Sequence, residues 1–109
     1  MSLSPHIWVP ATIKSLNSQM ISTYLRHRGD DHRGLVAIVV DHLDGTATAY
    51  IQQRDFMTGD LSWNQKHSTP VSVLEVNEWV EKQLSFDADM WVLDVESSQS
   101  NKFDINRLF

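Results

Sequence analysis

Residues 35–52, LVAIVVDHLDGTATAYIQ, constrain the fold of this chain more than any other segment. An apolar run is followed by the pair Asp44-Gly45 and then by regular alternation of small or apolar and polar residues. Asp-Gly pairs tolerate the positive φ angles of tight hairpin turns, so the two flanking runs are predicted to be antiparallel strands. Because the first run, residues 35–42, is apolar over its first six positions, it should be a central strand with both faces buried.

One helix is predicted near the start of the chain. Pro10 suits a first helical position, because the N–H that proline lacks would have no partner there. Apolar residues then recur at helical spacing: Ile13, Leu16 and Met20. This pattern predicts a helix over residues 10–18 with one buried edge.

A second helix is predicted with a clearer beginning. Ser72 and Glu75 form an S-x-x-E capping box, in which each side chain satisfies an otherwise unpaired backbone N–H. Apolar side chains then recur on one helical face: Val73, Val76, Val80 and Leu84. The helix should end near Ser85.

Three further segments have the composition or alternation of strands: residues 20–27, 61–66 and 91–96. Residues 102–109 are predicted to add a final short strand or a docked tail. The short polar connections favour antiparallel pairing, which needs no long crossover. We therefore predict an α+β fold: a mainly antiparallel sheet of four to five strands, arranged as a β-meander, with two helices packed on it in the order α-β-β-β-β-α-β. A chain of 109 residues supports a single domain over residues 1–109.

Composition narrows the classes of function. The absence of cysteine excludes disulfides, thiol catalysis and cysteine-ligated zinc. No apolar run approaches the length of a membrane span, and the first ten residues lack the pattern of a secretory signal, so we expect a cytoplasmic protein with no membrane partner. The net charge is −5, and residues 75–109 hold eight acidic and three basic residues. Nucleic-acid binding is therefore disfavoured.

The densest group of metal-capable side chains lies around the first two turns: His27, Asp30, Asp31, His32, Asp41, His42 and Asp44. Imidazole and carboxylate groups together can bind a divalent ion. Of these seven residues, the four candidate metal ligands are His27, Asp30, His32 and His42. Aspartate is also common in turns because its side chain bonds the nearby backbone, so the structural interpretation is favoured and no metal or other cofactor is expected.

A second polar group follows the second predicted helix: Asp87, Asp89, Asp94 and Glu96. Paired carboxylates can do acid/base chemistry when burial separates their pKa values, but hydrogen bonds to loop amides explain these residues equally well. Trp8 precedes the first predicted helix and should be partly exposed. Trp8, Asp87, Asp89 and Glu96 are the predicted partner-binding residues, suited to a basic protein.

Arginines flank the first turn at Arg26, Arg28 and Arg33, where they could bind phosphate or a carboxylate. Asp30 and Asp31 lie between them and offset much of their charge, which favours a solvated turn. The sequence contains no G-x-S-x-G, G-x-G-x-x-G or G-x-x-x-x-G-K-[ST] motif. No residue is therefore assigned a catalytic role.

Several residues form a pattern that extends from about residue 8 to residue 103: Trp8 with Ala11, Gly29-Asp30 with Gly34, LDGTA at 43–47 with Tyr50, Trp63, and FDADMWVLDVE at 86–96. The most specific part is Phe86-Asp87-x-Asp89-x-Trp91-Val92, which ends at Glu96. This pattern resembles the family of small uncharacterised bacterial proteins catalogued as domain of unknown function 1491. The resemblance implies a compact, cytoplasmic, one-domain bacterial protein, and it implies no activity.

The favoured function is a non-catalytic protein-interaction or regulatory module of a bacterial cytoplasm. Its partner is an unknown protein or a second copy of the chain, and a homodimer could form through an exposed aromatic patch or the strand near residues 61–66. The alternative is a small metal-dependent hydrolase or ligand-binding enzyme that uses the His/Asp group. RNA binding on the sheet face is a third hypothesis, which the charge disfavours.

Overall fold

The computed structural model describes residues 4–98 and 103–108. The predicted α+β class and element order are confirmed, with a short strand and a 3₁₀ helix in addition. The elements are α1 (Pro5–Ser18), β1 (Ser22–His27), β2 (Val36–Asp41), β3 (Thr46–Arg54), β4 (Leu61–Gln65), β5 (Val71–Ser72), α2 (Val73–Phe86), β6 (Trp91–Glu96) and the 3₁₀ helix (Ile105–Leu108). The predicted domain (residues 1–109) and the predicted tail (residues 102–109) include some of residues 1–3, 99–102 and 109, which are not among the described residues.

One sheet holds the six strands in the order β1-β6-β2-β3-β4, with β5 paired to β3. All pairs are antiparallel except β2 with β6, so the sheet is mainly antiparallel, as predicted. It is nevertheless a mixed sheet of six strands, and only β2, β3 and β4 form a continuous meander. β6 inserts between β1 and β2, because its apolar residues need burial on both faces and α2 supplies the crossover that a parallel pair requires.

The two helices cover opposite faces of the sheet. Alternate residues of β2 separate into two cores, with Val36, Ile38 and Val40 on the α1 side and Ala37 and Val39 on the α2 side. β6 divides in the same way. Its residues Trp91, Leu93 and Val95 join the α1 core. Both faces of β2 and of β6 are therefore buried. For β2, the apolar run over residues 35–42 predicts this burial.

Helix α1 begins five residues earlier than predicted. Ser4 takes the extended conformation of an N-cap and Pro5 occupies the first turn. Pro10 instead lies inside the helix, where its ring removes one backbone hydrogen bond. Trp8 is consequently a helical residue, and it does not precede the helix as predicted.

Helix α2 begins where the capping box predicts. The hydroxyl of Ser72 accepts the backbone N–H of Glu75 at 3.1 Å. The helix ends at Phe86, one residue beyond the predicted end. Within the described ranges of the chain, neither α-helix is long and apolar enough to cross a membrane.

The loop between β1 and β2 is hydrogen-bonded to residues 89–91, where β6 begins. We call this contact the clasp. The backbone N–H of Asp30 donates to the carbonyl of Asp89 at 2.9 Å. The indole Nε1 of Trp91 donates to the carbonyl of Asp30 at 2.7 Å. The two segments approach so closely that a Cβ at Gly29 or Gly34 would overlap the Asp89 carbonyl oxygen. Lack of space, and not backbone conformation, requires glycine at both positions.

The substitution Gly34→Ala should lower the free energy of unfolding by about 1–3 kcal/mol or more, because backbone and indole must move to admit the methyl group. Urea denaturation followed by tryptophan fluorescence measures this change. The control Ser62→Ala, at an exposed position of β4, should change stability by less than about 0.5 kcal/mol. Equal stability of Gly34→Ala and the unchanged protein would contradict the close packing of this loop.

Candidate functional site

A cleft of about 450 Å³ opens at one end of the sheet, on the face that α1 covers. The first turn of α1, the loop between β1 and β2, and the adjoining ends of β2, β3 and β4 surround it. Its lining is Ser4, Pro5, Trp8, His32, Arg33, Gly34, Leu35, Val36, Gln52, Arg54 and Leu61. We call this site the arginine cleft. Its volume lies in the range of ordinary small-molecule sites.

Gln52 is a buried polar side chain in the lining of the cleft, with only 7% of its surface exposed. Its Oε1 accepts the backbone N–H of Val36 at 2.9 Å. This bond fixes the amide group and satisfies a backbone donor next to the point where regular pairing of β2 with β3 begins, at Ala37 and Ile51. The Nε2 group of Gln52 has no acceptor among the described residues, so its two N–H donors are available to a ligand.

Two arginines supply the positive charge of the cleft. Arg54 lies at the end of β3, and its Nη1 donates to the carbonyl of Gly59 at 2.7 Å. This bond holds the guanidinium in place without neutralising it. The side chain of Arg33 forms no hydrogen bond or ion pair with residues 4–98 and 103–108, although its backbone N–H donates to Asp30 at 2.8 Å. Its donors are therefore unused.

Aromatic groups form part of the wall. Trp8 is half-buried, packs against Trp63 with ring centroids 6.0 Å apart, and donates its Nε1 to the carbonyl of Leu108 at 3.2 Å. Its orientation is therefore fixed. His32 meets the ring of His6 edge-on with ring centroids 4.9 Å apart. These contacts give the cleft a rigid planar surface beside its cationic groups.

The charge of the cleft is opposite to that of the chain. The net charge of the protein is −5, yet no described residue in the lining carries a carboxylate. The lining instead offers the unused N–H donors of Arg33, Arg54 and Gln52. A site made of donors is complementary to a ligand with acceptor atoms and negative charge.

Asp30 shapes the loop that places His32 and Arg33. Its carboxylate accepts the backbone N–H of Arg33 at 2.8 Å and that of His32 at 3.1 Å. These two hydrogen bonds hold the pKa of Asp30 below its ordinary value of 3.8, and the nearby charges of Arg33 and His32 act in the same direction. Asp30 is thus a turn-forming residue, as the structural interpretation of the sequence predicts.

The alternative metal ligands are dispersed. His27 lies opposite Val92, near the start of β6, and its Nδ1 contacts the Met90 carbonyl at 2.9 Å. His42 follows β2 at the other end of β6, where its Nε2 contacts the Thr48 hydroxyl at 2.8 Å. Asp30 and His32 share one loop. Within the ranges that the structure describes, no three His, Asp or Glu side chains are grouped to hold a metal ion.

The four predicted partner-binding residues are also separated. Asp87 caps α2 and its Oδ1 accepts the backbone N–H of Asp89 at 3.1 Å, so these two exposed residues shape the loop before β6. Glu96 is at the far end of β6, roughly 20 Å from Asp89 by strand rise. Of the four, only Trp8 lines the arginine cleft. A common binding surface for all four stays a prediction.

Sequence reasoning identified Arg33 as a possible anion contact and missed Gln52 and Arg54. A local signal was present for Gln52, because it shares a face of β3 with Thr48 and Tyr50, which are buried or half-buried; Arg54 follows on that face but is exposed. Polar residues on an inward face are expected to have partners or a ligand. What the sequence does not show is that the loop carrying Arg33 returns to this end of β3.

Comparisons with known proteins agree with this architecture. The model of the family DUF1491, described as a protein of unknown function, matches residues 3–104. The chain belongs to the DUF1491 family. A search of curated proteins finds no match.

Two solved structures of DUF1491 family proteins, and a third of protein Atu0922, share the fold. A crystal structure from Caulobacter crescentus CB15 is 26% identical with a TM-score of 0.76, and the match covers 88% of this chain and 89% of that one. An NMR structure of a DUF1491 protein from the same organism gives 26% identity, a TM-score of 0.77 and coverage of 91% and 89%. The solution structure of protein Atu0922 from A. tumefaciens, at 18% identity, has a TM-score of 0.80 over 100% of this chain and 93% of that one.

The lowered pKa of Asp30 predicts a pH-dependent loop. The carboxylate contributes stability above its ordinary pKa of 3.8, and that contribution is lost as the pH falls through the lower folded value. In an NMR titration the amide protons of His32 and Arg33 should shift with a midpoint below pH 3.8. Asp30→Asn, which keeps an acceptor oxygen, should abolish this titration. A midpoint at or above the ordinary value would contradict the two hydrogen bonds.

Proposed function

We propose that this DUF1491 protein is a non-catalytic regulatory module of the bacterial cytoplasm that binds a small anionic ligand in the arginine cleft. The observation that carries this proposal is the set of unused donors on Arg33, Arg54 and Gln52, in a cleft whose described lining residues include no carboxylate. Charge-assisted hydrogen bonds from guanidinium groups are strong and directional, and they suit phosphate and carboxylate groups.

The contacts in the cleft support binding more than catalysis. The two His rings that meet at its edge, His6 and His32, pack on each other, and His6 Nδ1 is engaged by the Asp31 carbonyl at 2.9 Å. Among residues 4–98 and 103–108, no residue of the lining forms the hydrogen bond between nucleophile and base that covalent catalysis needs. Hydrogen bonds hold Gln52 and Arg54 in place, so their remaining donors can orient a ligand.

An adjoining surface suggests how such a module contacts a protein. The turn between β3 and β4 leaves Phe56 and Met57 95% and 82% exposed. The turn is nevertheless ordered, since the Asp55 carboxylate accepts the backbone N–H of Met57 at 2.8 Å. Arg54 joins this turn to the cleft through its bond to Gly59. Ordered apolar side chains beside a ligand site favour a protein partner or a homodimer at this edge of the sheet.

Binding of simple anions tests the proposal. At low ionic strength, at least one of inorganic phosphate, sulfate, acetate and benzoate should raise the thermal midpoint by several degrees, since saturation at about 100 Kd adds about 2.7 kcal/mol to stability. Arg33→Ala should weaken the affinity about tenfold or more, because it removes a charge-assisted hydrogen bond. Isothermal titration calorimetry gives the affinities.

The matched control is Arg107→Ala, which removes the same charge from an exposed position of the 3₁₀ helix, outside the lining of the cleft. Its affinities should equal those of the unchanged protein. Binding that is lost equally in both variants would reveal a general charge effect and would contradict the assignment of the cleft. Failure of all four anions to bind would refute the proposed function.

A further inference from the structure

We infer that the ligand of the arginine cleft is a phosphate monoester attached to a planar ring that carries a hydrogen-bond acceptor, the chemistry of a nucleoside monophosphate. This inference deepens the proposed anion-binding function and rests on it. Three features of the lining carry the inference: its charge, its aromatic wall and the amide of Gln52.

The charge of the cleft distinguishes a phosphate monoester from a carboxylate. Arg33 and Arg54 bring two positive charges, and no described residue of the lining brings a negative one; the Asp30 carboxylate, whose charge interacts with that of Arg33, lies outside the lining. A phosphate monoester carries about −1.5 to −2 near neutral pH, whereas a single carboxylate carries −1 and would leave one guanidinium unpaired. Both arginine side chains are exposed, so the preference rests on the number of charges: a dianion can pair with both guanidinium groups, and a single carboxylate with one.

The start of helix α1 adds to this preference. Ser4 and Pro5 line the cleft, so the positive end of the helix dipole lies at the same site as the two arginines. The first turn of α1 contains no acidic residue, and the hydroxyl of Ser4 forms no capping hydrogen bond. The helix end supplies only this dipole field, because Pro5 has no N–H and the N–H groups of His6 and Ile7 donate to the carbonyls of Asp31 and Ser4. Here the helix end only supplements a cleft that the buried Gln52 and the arginines define.

The aromatic wall of the cleft favours a ligand that contains a planar ring. Trp8 is fixed by Trp63 on one side and by its hydrogen bond to the Leu108 carbonyl on the other. A rigid indole presents a planar apolar surface at little cost in conformational entropy, and stacking of a base on an aromatic side chain is worth about 1–3 kcal/mol. Pro5 and Leu61 provide further apolar lining. A bare anion would leave this surface unused.

The side-chain amide of Gln52 favours a ligand whose ring carries a hydrogen-bond acceptor. Its Oε1 is committed to the backbone N–H of Val36, so the amide must present Nε2 as a donor. The Nε2 group reaches solvent in the cleft, and a ring nitrogen or carbonyl oxygen of the ligand would accept one of its N–H donors in place of water. Nucleobases offer both kinds of acceptor, whereas a plain phenyl ring offers neither.

A ligand series separates these contributions. Isothermal titration calorimetry at constant ionic strength compares inorganic phosphate, benzoate, phenyl phosphate, adenosine 5′-monophosphate and uridine 5′-monophosphate. Phenyl phosphate should bind at least tenfold more tightly than benzoate, which has the same ring and one charge fewer. It should also bind more tightly than inorganic phosphate, which lacks the ring. At least one nucleotide should exceed phenyl phosphate, and the better nucleotide identifies the preferred base.

A pair of variants in β3 tests the role of Gln52. Gln52→Glu retains an acceptor for the Val36 N–H and replaces the Nε2 donor with a carboxylate oxygen, so nucleotide affinity should fall at least tenfold. Gln53→Glu makes the same change in charge on the exposed, opposite face of the strand, and nucleotide affinity should be unchanged. Circular dichroism and the thermal midpoint establish that both variants are folded. If Gln52→Glu does not fold, Arg54→Met tests the same site and should reduce phenyl phosphate affinity more than benzoate affinity.

The outcomes separate the two proposals. Benzoate binding as tightly as phenyl phosphate would overturn the phosphate monoester while leaving the anion-binding cleft intact. Equal affinities of inorganic phosphate and all three phosphate monoesters would contradict the inference that the ligand carries a ring with a hydrogen-bond acceptor. Equal nucleotide affinity in Gln52→Glu and Gln53→Glu would show that Gln52 does not contact the ligand. If none of the five compounds binds, both this inference and the proposed function fail.

Discussion

The clasp between the β1–β2 loop and the start of β6 is the contact on which the candidate site depends. The Trp91 indole donates to the Asp30 carbonyl at 2.7 Å, and the Asp30 N–H donates to the Asp89 carbonyl at 2.9 Å. Arg28 adds its guanidinium 5.0 Å from the centre of the Trp91 ring. Because Trp91 is fully buried, the loop that carries Arg33 is anchored to the core of the sheet. The clasp and the Asp30 carboxylate therefore fix the backbone from which the Arg33 side chain extends.

The position of β6 explains why the clasp and the cleft lie on the same side of the molecule. β6 pairs with β1 on one side and with β2 on the other, so its first residues meet both ends of the loop that connects those strands. The helices then cover opposite faces. The cleft forms on the α1 face, where the first turn of α1 meets the ends of β2, β3 and β4. An aromatic wall and a buried amide result from the same packing.

Local pattern predicted the elements well and their arrangement less well. The Asp44-Gly45 hairpin and the capping box at Ser72 were found because each signal spans a few neighbouring residues. The start of α1 was misplaced because Pro10 was assigned to the first helical turn, whereas Pro5 occupies that turn and Pro10 lies inside the helix. Asp30 and Asp87 accept hydrogen bonds from neighbouring backbone amides, the role that aspartate commonly has in turns.

The sequence by itself determined which segments are helices and strands, that the strand within residues 35–42 is buried on both faces, and that the chain resembles the DUF1491 family. Those properties depend on periodicity and on contacts between near neighbours. Tertiary structure alone decided that β6 lies between β1 and β2, that the helices cover different faces, and that Arg33, Gln52 and Arg54 line one cleft. These arrangements depend on pairing between distant strands, where the free energy comes from burying two apolar faces at once and no local pattern specifies the partner.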